Sequence, residues 1–140
     1  MSTDTVGSIV VRNRGGFQTE VAVGTHEFTA DEPISFGGTD VGPTPYDYLV
    51  AAVGTCTAMT VRMYAARKKW PLEEVIIRLK HGRSHEADCE NCETSKVGIA
   101  TIERDIELVG ALTDEQKTKL LAIADRCPVK QTLEGGLRVR

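Results

Sequence analysis

Long apolar runs are missing from this sequence. The longest stretch without a charged residue is Tyr48–Val61, 14 residues, short of the roughly 20 that cross a bilayer and suited to a buried core helix. A basic excess is missing as well. Lys and Arg number 17 against 20 Asp and Glu, a net charge of −3, so nothing opposes a phosphate backbone and nucleic acid is not an expected partner. The start, Met1-Ser-Thr-Asp-Thr, has neither the basic nor the apolar region of a secretory signal. The expectation is a cytoplasmic protein without membrane contact. No phosphate-binding glycine loop occurs; Gly37-Gly38 and Gly135-Gly136 read as turns. No Gly-x-Ser-x-Gly elbow occurs, and the three histidines form no recognisable triad. Nucleotide-cofactor hydride transfer and serine hydrolysis are therefore disfavoured.

What is present is one domain's worth of chain, 140 residues, enough to bury a core without a disulfide or metal. Val6–Arg12, Phe17–Val23 and His26–Ala30 alternate or carry strand formers, separated by turns at Asn13–Gly16 and Gly24-Thr25, and predict a three-strand meander. After a Gly- and Pro-rich loop, Thr44-Pro45-Tyr46-Asp47 reads as an N-cap, a proline at the first helical position and a carboxylate near the positive helix end. The helix should run from Pro45 to about Lys69, with Pro71 as its stop. It is apolar or small on every face, and such a helix is buried on every face. One small sheet cannot wrap it, so a second subunit is expected to cover the rest in an intertwined dimer. Glu74–His81 and Val97–Val109 read as strands, the second with Ile102, Ile106 and Leu108 on one face. Thr113-Asp114-Glu115-Gln116 is a capping box for a helix ending near Cys127. A short helical turn at Val129–Leu133 and a last strand, Leu137–Arg140, complete a βββ-α-ββ-α-β order of α+β class.

Four cysteines remain, Cys56, Cys89, Cys92 and Cys127, and cytosolic thiols are usually reduced. Cys56 lies about three turns inside the central helix, where it is either a small buried hydrophobe or a nucleophile needing a cation from elsewhere in the fold. Cys127 stands where the second helix ends, a negative end that disfavours a thiolate. A helix end beside a proline suits a resolving thiol that must reach a partner. His81-x3-His85-x3-Cys89-x2-Cys92 matches zinc-ligand spacing in part. Acidic neighbours Asp88, Glu90 and Glu93 favour a solvated loop over a metal or redox centre there, and no metal is assigned. His26 reads as structural.

The run Gly42-Pro-Thr-Pro-Tyr-Asp-Tyr-Leu-Val-Ala-Ala-Val-Gly-Thr-Cys56-Thr-Ala-Met-Thr, with Ala124-Asp-Arg-Cys127-Pro-Val and the element order, resembles the OsmC-like superfamily. That group includes osmotically inducible and organic hydroperoxide resistance proteins. The resemblance covers nearly the whole chain. It implies a strand-swapped homodimer with sites at the interface, Cys56 as peroxidatic thiol and Cys127 as resolving thiol. It implies an organic hydroperoxide substrate, an external dithiol as reductant and no cofactor. In the family an N-terminal Arg and a Glu at the central helix start assist the first cysteine. Here Tyr46 holds the Glu position and Asp47 is the neighbouring carboxylate. Arg14 is the nearest arginine, and Arg12 the second. Two other functions fit the same residues: a non-catalytic cleft for a small molecule, and a zinc-binding regulatory protein built on His81–Cys92.

Overall fold

Alternating side chains and two tight turns set the first part of the chain as a meander. The computed structural model describes residues 8–81, 99 and 101–140. Strands β1 (Ile9–Asn13), β2 (Thr19–Val23) and β3 (His26–Ala30) pair antiparallel in the order β1-β2-β3. Asn13 pins the first turn by donating from Nδ2 to the Gly16 carbonyl at 2.9 Å. Val23 pairs with His26 across the second turn, where Gly24 has φ 58°, a conformation that costs glycine little. These strands form one of two compact units, together with the loop and helix start that follow.

That loop is organised by one carboxylate. Asp31 is buried and accepts from the Thr39 hydroxyl at 2.6 Å and from the amides of Glu32, Thr39 and Val41 at 2.7, 3.2 and 3.2 Å. The Thr39 hydroxyl, helped by these amides, holds its carboxyl below the ordinary value despite burial. Gly42 leaves room for the Thr29 carbonyl, which would lie 2.2 Å from any Cβ there. The chain then enters helix α1 (Pro45–Lys68). Its start is a reciprocal cap: the Thr44 amide donates to Asp47 at 3.0 Å and the Asp47 amide to the Thr44 hydroxyl at 3.2 Å. In the first turn the Tyr48 hydroxyl donates to the Thr29 carbonyl at 2.6 Å, and its ring lies 5.0 Å from that of Phe28.

From Leu49 onward the helix belongs to the second unit. It ends where Lys69 turns left-handed (φ 56°) and the Trp70 amide closes on the Ala65 carbonyl at 2.9 Å, just before Pro71. Strands β4 (Leu72–Lys80) and β5 (Glu103–Gly110) pair antiparallel. Helix α2 (Asp114–Ala124) follows, started by the expected capping box of Thr113 and Gln116, and then helix α3 (Pro128–Gly135). The core joins Val61 and Ala65 of α1, Leu72 of β4, and Leu120 and Ala124 of α2, with Trp70, Ile106 and Leu108 packed around them. Gly54 brings α1 close to β4, because a Cβ there would fall 2.6 Å from Leu79 Cδ1.

Within one chain α1 is covered on one stripe only, as expected of a helix that one small sheet cannot wrap: Val50, Val53, Gly54, Thr57, Val61 and Ala65 are buried, while Met59 and Met63 are exposed. By length and hydropathy alone α1 could cross a membrane, but its buried face is part of a protein core. One expectation needs correction: Leu137–Arg140 forms no strand, and these residues are exposed and unassigned to any element. The segment Gly82–Lys96, with the proposed ligands His85, Cys89 and Cys92, lies outside the described residues, as do Val6 and Val97 at the predicted strand starts.

Leu120→Ala should cost about 3 kcal/mol, since it empties a fully enclosed site, and Thr113→Ala about 1 kcal/mol through the lost cap. Urea unfolding of reduced protein checks the ranking. Equal losses would contradict the core assignment.

Candidate active site

The site is built where α1, β5 and the α2–α3 junction meet inside the second unit. Along α1 three threonines bend their hydroxyls back to the preceding turn: Thr55 to Ala51, Thr57 to Val53 and Thr60 to Cys56, each at 2.7 Å. Polar groups in an apolar helix are thereby satisfied locally. Cys56 is half-buried and Cys127 wholly buried, and both are free thiols. Cys56 is near enough to help lower the Cys127 pKa. Cys127 Sγ also lies 4.0 Å from the Val53 carbonyl, which Thr57 shares.

The placement of Cys127 reverses an expectation. Helix α2 ends at Ala124, and Cys127 is the N-cap of α3 with Pro128 at its start. The proline that stops one helix opens the next, as its preference for the first helical position allows. The sulfur therefore sits at a positive helix end. Burial pushes the thiol up most strongly, but the Cys56 side chain, the Lys130 amide, the Thr57 hydroxyl and the Val129 amide outweigh it and leave Cys127 below its ordinary value. None of these amides closes a capping bond of ordinary length. Reach by a loose helix end is not needed, because Cys127 is already enclosed beside its partner.

Arg104 escaped the sequence reading. It points to the half-buried face of β5 with Ile106 and Leu108. Its Nη1 donates to the Thr57 hydroxyl at 2.9 Å and to the Ala124 carbonyl at 3.3 Å, and Nη2 to Asp125 Oδ1 at 2.8 Å. The period-two alternation held the signal: residue 104 falls between Ile102 and Ile106 on the apolar face, where an arginine needs a reason. The other candidates are engaged in the first unit. Arg14 pairs with Glu20 on the surface, and Asp47 caps α1. His26 is exposed in β3, and His81 follows β4.

A family model described as OsmC-like protein matches residues 37–140. The chain belongs to the OsmC-like family. Solved structures agree in fold. An OsmC-like protein from Mycoplasma pneumoniae superposes with a TM-score of 0.76 at 19% identity, covering 95% of this chain and 90% of that one. An organic hydroperoxide resistance protein, OsmC, from Legionella pneumophila gives 0.66 at 19%, covering 94% and 93%. An OsmC-like hydroperoxide resistance protein from Jannaschia sp. CCS1 gives 0.53 at 19%, covering 94% and 87%. No match is found among curated proteins. At such identities the likeness establishes the α+β family fold, with its antiparallel sheets and central helix.

The lowered Cys127 pKa has a sign that can be checked. Between the native and unfolded values the unfolded thiol holds more protons, so stability rises with pH through that window and is lost as pH falls. Reduced wild-type protein should gain stability relative to Cys127→Ala as pH rises toward the ordinary thiol value of about 8.5. Urea midpoints across that range measure it; parallel profiles would contradict the assigned direction.

Proposed function

We propose that the protein is a cysteine peroxidase for organic hydroperoxides, with Cys56 as the peroxidatic and Cys127 as the resolving thiol. One observation carries the reading: two free thiols lie in one site, Cys56 half-buried on α1 and Cys127 enclosed against the Val53 carbonyl of the same helix, with Cys56 among the groups that lower the Cys127 pKa. Peroxide reaches the accessible sulfur first, and the enclosed sulfur is placed to close the disulfide. The Cys56 thiolate attacks one peroxide oxygen, the O–O bond breaks, and the alkoxide leaves as an alcohol after taking a proton. Cys56 is left as a sulfenic acid. The Cys127 thiolate attacks that sulfur, the S–S bond forms, and hydroxide leaves as water. An external dithiol then reduces the disulfide by exchange. This cycle needs no bound cofactor and suits a reducing compartment such as the cytoplasm.

A cavity of about 430 Å³ in the same unit supports an organic substrate. Leu49, Val53, Ile99, Ile102 and Leu133 line it, with Arg104 and Lys130 as its cations. Its Val53 wall is the residue whose carbonyl faces Cys127 Sγ. The names of the Legionella and Jannaschia structures point the same way. Arg14 and Asp47 belong to the proposal as supporting residues. The exposed Arg14–Glu20 pair costs little to exchange for another anion.

A homodimer completes the reading. Ile9, Val11, Met59 and Met63 are each more than half exposed in the single chain, and a second copy of the chain is the cover we assign to these surfaces. Sedimentation equilibrium at micromolar concentration should give a dimer; a 15.2 kDa species alone would remove that part of the proposal.

Cys56→Ser should abolish consumption of cumene hydroperoxide. Cys127→Ser should permit one oxidation per site, leave a trappable sulfenic acid on Cys56, and then pass to the sulfinic state. Single-turnover assays with a sulfenic-acid trap and mass spectrometry test both. Wild-type turnover by Cys56→Ser, or labelling of Cys89 or Cys92, would overturn the assignment.

A further inference from the structure

Arg104 places a positive charge directly against the polar groups that enclose Cys127. Its Nη1 reaches two of them at once. One is the Thr57 hydroxyl, at 2.9 Å, which shares the Val53 carbonyl with the Cys127 sulfur. The other is the Ala124 carbonyl, at 3.3 Å, which also receives the Cys127 amide at 3.3 Å. The Arg104 side chain is only 13% exposed, so its field is weakly screened. We infer that Arg104 is a positioning residue of the cysteine centre, polarising the Thr57 hydroxyl so that it turns from the Val53 carbonyl to the Cys127 sulfur when that thiol ionises.

The chemistry follows from hydroxyl capacity. A threonine hydroxyl has one proton to give and two lone pairs to receive with. In the resting arrangement the proton goes to Val53 and a lone pair accepts from Arg104. Loss of the Cys127 proton creates an anion beside that hydroxyl, and a donor held by a guanidinium is the stronger for it. Other charges face the same place. Cys56 approaches from α1, Asp125 at the end of α2 offsets Arg104, and Lys130 in α3 is paired with Glu134 at 2.7 Å. Arg126 is exposed beside the cysteine. The inference rests on the peroxidase reading only for its consequence, which is more of the attacking thiolate in the disulfide-closing step.

The test separates the two. In a C56S/C89S/C92S chain Cys127 is the sole thiol, and its ultraviolet thiolate absorbance is titrated against pH without peroxide. Arg104→Gln and Thr57→Val should each raise its pKa by roughly one unit, and the double variant by less than the sum. Thr57→Ser should restore the original value. Asp125→Asn keeps an acceptor for Arg104 but removes the opposing charge, so it should lower the pKa, a sign that a merely structural role would not give. With Cys56 restored, Arg104→Gln should slow disulfide closure about tenfold near neutral pH and converge with wild type at alkaline pH. Should Arg104→Gln fail to fold, Thr57→Val and Asp125→Asn carry the measurement. Unchanged titration in both, or a rise with Asp125→Asn, overturns the inference. Shifted titration without any peroxide consumption sustains it and removes the peroxidase reading instead.

Discussion

A guanidinium turned toward the apolar face of a strand must find acceptors, and among the described residues Arg104 finds them on α1 and at the end of α2. Thr57 belongs to α1, the Ala124 carbonyl ends α2, and Asp125 follows it. Withdrawing a charge from water costs several kcal/mol unless it is met by such bonds. The same bonds tie β5 to α1 and to the end of α2, where Pro128 opens the next helix. Because α2 stops there, the Cys127 amide returns to Ala124 and its side chain comes to rest against α1. The Leu120 and Ala124 packing supplies the adhesion, while the arginine supplies the register.

Local rules made much of this readable in advance. The caps at Thr44 and Thr113, the stop at Pro71 and the meander at residues 9–30 all follow from short-range chemistry, and each is found where it was expected. Cys56 and Cys127 stood out in the sequence through their surrounding motifs, but their environment was not legible there. Pro128 signals both the end of one helix and the start of another, and only the tertiary course decides which dipole end meets the sulfur. Arg104 was hidden because a charged residue on an apolar face reads as an interruption until its acceptors, 47 and 20–21 positions distant in sequence, are folded against it. The terminal strand failed for a complementary reason. Val139 is 93% exposed, and strand propensity without a neighbouring edge makes no ladder.

Helix α1 shows the same limit from the other side. Its composition marks a helix to be covered all round, and a single chain covers only what lies against it. One stripe meets its own unit and Gly54 allows the close approach of β4. Met59 and Met63, off that stripe, are exposed in the single chain.

The position of Cys127 as a helix N-cap has a further consequence, for the direction in which the thiol pair leans. In the proposed cycle the charge that the Val129 and Lys130 amides face exists only while the sulfur is a free thiolate. Forming a disulfide removes that charge and leaves the first turn of α3 with weaker company. Whatever holds the reduced form more firmly than the oxidised one raises the reduction potential of the pair. In that proposed cycle the disulfide is therefore the electron-hungry state, the one a dithiol reopens easily, and the readiness to be reset traces to the first turn of an eight-residue helix.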